Sequence, residues 1–441
     1  MNSIPNPSLS LLGKKIAFST FVQYAGKILQ LILSTITLRL ISGFLSDQGY
    51  SYYAAITEFA LFFSVMANLG IFGNLVRLMS DDPKDGKIFT QALLLRLATA
   101  FVFFLAAIPI LLTMQSDQVF FFGSLLFLSA LLFDYITSVC DAMLQANYLM
   151  GRATAALVAG RLLNTGLLYL AIRTFNEGTA LHESLLIILG CTLIGSLFTA
   201  LVSLLLVRQK IKLQWHWNWE LIINILKLSL PFGIINIFNS LYFRFLPDYF
   251  AHQALNDLQF SSFNISFRIS QVLSLASTFL MFSVLPGLKQ YIDQKNWQKA
   301  ETLSKKITLI MLAAGMLLFV FGSLLGPFAI EFLTHKKYFL AEFWFLLPTM
   351  LLLTAVSYGY DLVLITLFAL NDEIWFLKRE IIAIIIATII FFSSSLIAQD
   401  STQIFLIILG ALAAESFMVV SGYLRMRYRL KTHQLASEIH L

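Results

Sequence analysis

Apolar runs long enough to cross a bilayer follow one another through nearly the whole chain, separated by short polar connections. A helix rises about 1.5 Å per residue, so roughly 20 apolar residues span the hydrocarbon core. On that measure the pattern predicts twelve helices, six in each half. In the first half they run over 16–41, 52–78, 88–114, 119–148, 154–175 and 184–207. In the second half they run over 228–250, 258–288, 307–332, 339–370, 381–398 and 404–425. Several are longer than a bilayer needs, so they tilt or project beyond it.

Polar residues interrupt these runs at helical spacing. In the first helix Thr20, Gln23, Tyr24, Lys27, Gln30, Ser34 and Thr37 recur every three or four residues, which puts them on one face. The eighth repeats the device with Asn264, Arg268, Gln271, Ser274 and Thr278, the fourth with Asp134, Ser138, Asp141 and Gln145, and the tenth with Thr354, Ser357, Tyr358 and Asp361. Such faces avoid lipid, so each half presents two wet helices.

The halves resemble repeats. Asp141 stands ten residues before Gly151-Arg152, and Asp361 ten before Asn371-Asp372. Six-helix halves in the same orientation imply an axis along the membrane normal and a central cavity between two bundles. The predicted organisation is therefore all-α and polytopic: a bundle over 1–210, an amphipathic interfacial linker over 211–227, a second bundle over 228–430 and a tail over 431–441. The linker contains Trp215, His216, Trp217, Asn218 and Trp219, then Leu221, Ile222, Ile225 and Leu226, a pattern suited to the membrane interface.

Composition agrees with this picture: of 441 residues 58% are hydrophobic and 12% charged, with a mean hydropathy of +0.80. Placing the N-terminus in the cytoplasm leaves only Arg39, Arg173, Lys336 and Lys337 on the outer side, while all other basic residues outside the spans face inward. This is the positive-inside asymmetry. It accounts for the net charge of +6 and suits contact with anionic inner-leaflet lipids, without nucleic acid. Cys140 and Cys191 fall within helices, so neither a disulfide framework nor a metal site is expected. The basic pair Lys14-Lys15 precedes a full-length span, unlike a cleaved signal peptide.

Five cations remain inside the spans: Lys27, Arg96, Arg161, Arg244 and Arg268. A charge near the bilayer centre costs roughly 3 kcal/mol even on the lenient insertion scale, which points to an anionic passenger held in a cationic lumen. Arg grips phosphate by bidentate hydrogen bonds and Lys acts as a point charge. By depth, Lys27 and Arg268 lie nearest the midplane, with Gln23, Gln30, Asn264 and Gln271 lining the same faces. The structural alternative is ion pairing with Glu58, Asp134, Asp141, Asp248, Asp361 or Glu415; for Arg244 the spacing to Asp248 favours it. Asp141, Asp361 and Glu58 are candidates for coupling to an ion gradient, since burial stabilises the protonated carboxyl.

The opening Lys14-Lys15-Ile16-Ala17-Phe18, running through Gln23-Tyr24 to Leu38-Arg39-Leu40, resembles the first helix of bacterial polysaccharide and O-antigen flippases. The run Asn68-Leu69-Gly70-Ile71-Phe72-Gly73-Asn74-Leu75-Val76-Arg77 is similar to that family's second helix, and Gln145 to Arg152 and Leu228-Ser229-Leu230-Pro231-Phe232-Gly233 resemble it too. The resemblance covers the whole chain and belongs to the superfamily of multidrug, oligosaccharidyl-lipid and polysaccharide exporters. It implies two bundles working by alternating access in the bacterial inner membrane, where the even helix count and the basic loops place both termini on the cytoplasmic side. It further implies an undecaprenyl-pyrophosphate-linked oligosaccharide as passenger, no cofactor, and a polysaccharide polymerase and chain-length machinery as partners. A multidrug cation antiporter of the same fold would prefer an acidic, aromatic lumen. A polymerase, ligase or glycosyltransferase would need a sizeable outer loop, and the outer connections 43–49, 115–118, 176–183 and 399–403 are short.

Overall fold

The computed structural model describes residues 7–72, 75, 78–79, 85–113, 117–147, 149–175, 181–214, 218–334, 337–397 and 400–439, with side chains from residue 22 except at 23–24, 181, 275–276, 278–287, 289, 397, 400 and 433–439. Within these residues the chain is helical. The helices are α1 (Pro7–Phe44), α2 (Asp47–Asn68), α3 (Gly86–Thr113), α4 (Gln118–Ala146), α5 (Met150–Thr174) and α6 (Leu181–Arg208). Next comes α7 (Trp219–Ala254), in which a π-helical turn, Leu241–Phe245, joins Trp219–Ser240 to Leu246–Ala254. The rest are α8 (Asp257–Asp293), α9 (Trp297–Thr334), α10 (Leu346–Ala369), α11 (Glu373–Ile397) and α12 (Asp400–Ile439).

Among the described residues nine helical stretches meet the length and apolarity of a membrane span; α2, α8 and α11 fall outside that group. Apolar side chains point outward freely, as on α9, where Leu309, Leu324 and Phe328 are about 70% exposed. In water that surface would be a large aggregation hazard; in lipid it is the solvated face.

The chain divides into two compact units, Met1–Gly233 and Ile234–Leu441. In the first, α1 packs on α5, α4 on α6, α5 on α6, α3 on α4, and α2 on α3 and α4. In the second, α7 packs on α11, α10 on α12, α11 on α12, α9 on α10, and α8 on α9 and α10. Each pairing recurs six helices later, so the repeat lies in the packing as well as in the sequence. Small residues permit the close crossings: a Cβ on Gly160 of α5 would lie 1.7 Å from Thr199 Oγ1 of α6, the small-residue contact that membrane helices use in place of a hydrophobic driving force.

Most helices run beyond the apolar runs, as where α1 starts at Pro7, α9 at Trp297 and α11 at Glu373, and α12 continues to Ile439 through the expected tail; three boundaries change what the sequence pattern implies. The second helix stops at Asn68, because Leu69 (φ 45°) and Gly70 (φ 67°) are left-handed. The chain then resumes helical spacing, with Ile71, Leu75 and Met79 all buried in the core of unit 1. The seventh helix begins at Trp219 rather than 228, and Pro231 is carried inside it. Ile222 and Ile225, expected on an interfacial linker, are buried in the unit 1 core instead. Trp215 and its two neighbours His216 and Trp217 lie outside the described residues. Finally, α4 ends at Ala146 and Gly151-Arg152 belong to α5, so Asp141 and Asp361 stand at different distances from their helix ends.

Candidate functional site

In unit 1 the polar face of α1 carries Lys27 and Gln30, both half-buried. The side chain of Gln23 lies outside the described residues. This face is set against α5: a Cβ on Gly26 would meet Thr154 Cγ2 at 1.9 Å, and the hydroxyls of Thr37 and Thr165 share a hydrogen bond of 2.9 Å. Lys27 is thus held at a close α1–α5 crossing while its four-carbon stem leaves the ammonium adjustable.

Arg96 is built differently. It is only 3% exposed, and its Nη1 donates to the Asn68 carbonyl at 3.1 Å and to Asn68 Oδ1 at 2.9 Å. Nη2 donates to Ser138 Oγ at 3.3 Å, and the guanidinium lies 5.0 Å from the Tyr135 ring centroid. Tyr135 in turn donates to the Ser64 carbonyl at 2.8 Å. Asn68 is the last residue of α2, so Arg96 caps the negative end of that helix. The break is packed against the early part of α7: a Cβ on Gly233 would lie 2.5 Å from the Leu69 carbonyl carbon, and one on Gly70 2.9 Å from the Gly233 nitrogen. Two segments of the family resemblance, at 68–77 and 228–233, therefore meet in one contact.

Arg161 is exposed on α5 and acts electrostatically on Asp134 of α4, which also takes a hydrogen bond from Ser196 of α6. Asp141, on the same helix as Asp134, has Oδ1 buried without a hydrogen-bond partner among the described residues. Glu58 is buried in α2 at 3% exposure.

In unit 2 the half-buried Arg268 of α8 donates from Nε to Asn264 Oδ1 at 2.8 Å. Asn264 is fully buried and turns its Nδ2 to Asp248 Oδ1 of α7 at 3.5 Å. This relay orients the guanidinium, and Gln271 follows one turn later, half-buried. Arg244 lies on the π-helical turn, 5.6 Å from the Phe245 ring centroid. Asp361 of α10 accepts a short hydrogen bond from Ser277 of α8. The five cations thus fall into distinct settings, three in unit 1 and two in unit 2.

A group of which the sequence pattern names only Glu415 and Ser357 lies among α7, α10, α11 and α12. Glu380 is 0% and Glu415 1% exposed. Tyr360 donates its hydroxyl to Glu380 Oε1, and Tyr242 donates to Glu415 Oε2 at 2.8 Å. Asn239 Nδ2 reaches Glu415 Oε2 at 3.3 Å and Tyr242 Oη at 2.8 Å, and Ser357 is bonded to Glu415 as well. Glu380 follows Lys378-Arg379 and so looks like part of a helix end, but α11 begins at Glu373 and Glu380 lies two turns inside. Tyr360 and Tyr242, each at helical spacing from a polar neighbour, are the signal that was available. Towards the cytoplasmic end expected for this unit, Asp372 is gripped by Arg425 at 2.7 and 3.3 Å, and Trp375 lies between Arg379 and Arg425 at 5.2 and 5.6 Å.

Residues 12–247 match the profile of a family described as Polysaccharide biosynthesis protein. No curated protein matches the chain in sequence. Among solved structures, the chain is similar to an inward-facing multidrug resistance MATE family transporter of the MOP superfamily, with TM-score 0.71 and 14% identity over 95% of this chain and 99% of that one. It is similar to a Vibrio cholerae MATE transporter variant, with TM-score 0.68 and 14% identity over 97% and 99%. A MOP superfamily transporter from Pyrococcus furiosus, described as having a binding pocket of reverse polarity, matches with TM-score 0.66 and 14% identity over 96% of both chains. At these identities the likeness is one of fold, and it is shared over the full length.

Proposed function

The chain belongs to the polysaccharide biosynthesis protein family of multi-pass membrane transporters, and from that premise we propose that it is a flippase for a lipid-linked oligosaccharide. The passenger is an undecaprenyl-pyrophosphate carrying an O-antigen, capsule or exopolysaccharide repeat unit. It moves from the cytoplasmic to the outer leaflet of the bacterial inner membrane by alternating access, with both termini of the protein cytoplasmic. Membrane lipids and a polysaccharide polymerase with its chain-length machinery are its partners.

The observation that carries this reading is a half-buried cation on a polar helical face in each unit: Lys27 with Gln30 on α1, and Arg268 with Asn264 and Gln271 on α8. Buried positive charge beside neutral amides suits a diphosphate head, which brings its own negative charge and accepts from both Arg and Lys. The Asn264 relay presents the guanidinium before the head arrives, so less side-chain freedom is lost on binding. Arg161 and Arg244 add further positive charge within their own units, whereas Arg96, engaged by Asn68 and Ser138, serves the fold.

Alanine at Lys27 or Arg268 in a strain that depends on this chain for surface polysaccharide tests the reading. A lost charge-assisted contact is worth about 1.5 to 3 kcal/mol, so export is expected to fall by about ten- to a hundredfold while protein levels in the membrane stay normal. Undiminished export from the double variant would remove both residues from the head-group site.

A further inference from the structure

Within unit 2, Glu380 of α11 and Glu415 of α12 are enclosed together by α7 and α10. The groups acting on the two carboxyls are Tyr242 and Asn239 from α7 and Ser357, Tyr360 and Asp361 from α10, besides the carboxyls themselves; among the described residues none of these is a cation. Asp361 adds a third acid beside the pair, itself bonded by Ser277. Glu380 Oε2 is buried and has no hydrogen-bond partner among the described residues. An ionised carboxylate placed there would keep the Tyr360 donor on Oε1 but leave its second charged oxygen buried without one.

The neighbours also say what the pair binds. Tyr242, Tyr360 and Asn239 all direct donors at the carboxylate oxygens, whereas a metal cation would need oxygen lone pairs converging on one point. Among the described residues no cluster of three or more His, Cys, Asp or Glu is arranged to hold a metal ion. The π-helical turn is the local device that sets this geometry. Pro247 has no N–H, Leu246 N–H reaches back five residues to the Leu241 carbonyl, and the widened turn carries Tyr242.

We propose that Glu380 and Glu415 form a proton-binding pair, in which at least one carboxyl holds a proton in the enclosed conformation and releases it to water when the pair is opened. The step is a single O–H ionisation: the proton leaves to solvent, and the carboxylate left behind keeps its tyrosine donor. A conformational cycle that alternately dries and wets the pair therefore couples to a proton gradient, because the two conformations bind different numbers of protons. This rests on the transport reading for its purpose, although the binding itself does not depend on which passenger is carried.

Infrared difference spectroscopy between acid and alkaline buffer, on the full chain in lipid nanodiscs without oligosaccharide, tests it. The wild type is expected to lose a protonated-carboxyl C=O band on alkalisation, and the E380Q/E415Q double variant is expected to lack that band while remaining helical and monodisperse. Tyr360→Phe keeps both carboxyls and removes one hydrogen bond, and is expected to move the band to higher wavenumber. A wild-type difference spectrum retained in full by the double variant and by Tyr360→Phe would overturn the proposal. Because no oligosaccharide is present, this outcome bears on the pair alone, and a failure of lipid flipping bears on the transport reading alone.

Discussion

Arg96 separates what a sequence says about a buried charge from what its surroundings make of it. Its charge within a span places it with Lys27 and Arg268 as a passenger-binding cation, yet it is spent on Asn68, Ser138 and the ring of Tyr135. Nothing in the local sequence reveals this, because its partner is the end of α2, 28 residues away. The contrast is measurable. Arg96→Gln removes a charged clamp from a buried helix end and is expected to destabilise the protein by about 1.5 to 3 kcal/mol, seen as a lower melting temperature in detergent and less protein in the membrane. Lys27→Ala is expected to leave both unchanged and to act on export only. Glu380 fails in the opposite sense: beside Lys378-Arg379 it reads as a surface acid, and only the earlier start of α11 turns it into a buried one.

The helices themselves follow from hydropathy almost throughout, because a run of apolar residues in lipid has to satisfy its backbone internally. Where they break is less legible. Leucine is among the better helix formers, so Leu69 in the left-handed region is dictated by tertiary contact, and only the following glycine gives a hint. Gly70 is required on two counts, its positive φ and its approach to the backbone of Ser229 and Gly233. Gly70→Ala is expected to destabilise by more than about 1 kcal/mol, read as a lower melting temperature. An unchanged value would mean that the α2 break is a soft feature and that Arg96 caps nothing of consequence. The same closeness explains why α7 starts early: its first turns pack Ile222 and Ile225 into the unit 1 core before the chain enters unit 2.

At the scale of the molecule, the internal repeat is written more clearly in packing than in sequence, since apolar residues substitute freely within a lipid-facing helix while the pairing of α4 with α6 and of α10 with α12 is kept. Orientation is set by charge, and it has a direct check. Cys140 and Cys191 are buried, so single cysteines can be read against a quiet background. A cysteine at Lys295, in the turn between α8 and α9, is expected to react with an impermeant thiol reagent only from the cytoplasmic side, and one at Asp117, before α4, only from outside. The reverse pattern would invert the inner and outer faces and with them the direction of transport. The central claim, that this chain carries a lipid-linked oligosaccharide between leaflets, is tested most directly in proteoliposomes containing undecaprenyl-pyrophosphate-linked oligosaccharide in both leaflets, by the fraction an added lectin or glycosidase reaches. With the wild type that fraction is expected to rise from about half towards completion as the inner pool is flipped out, and to stay near half with the Lys27→Ala, Arg268→Ala double variant; a fraction that stays near half with the wild type as well would contradict the account.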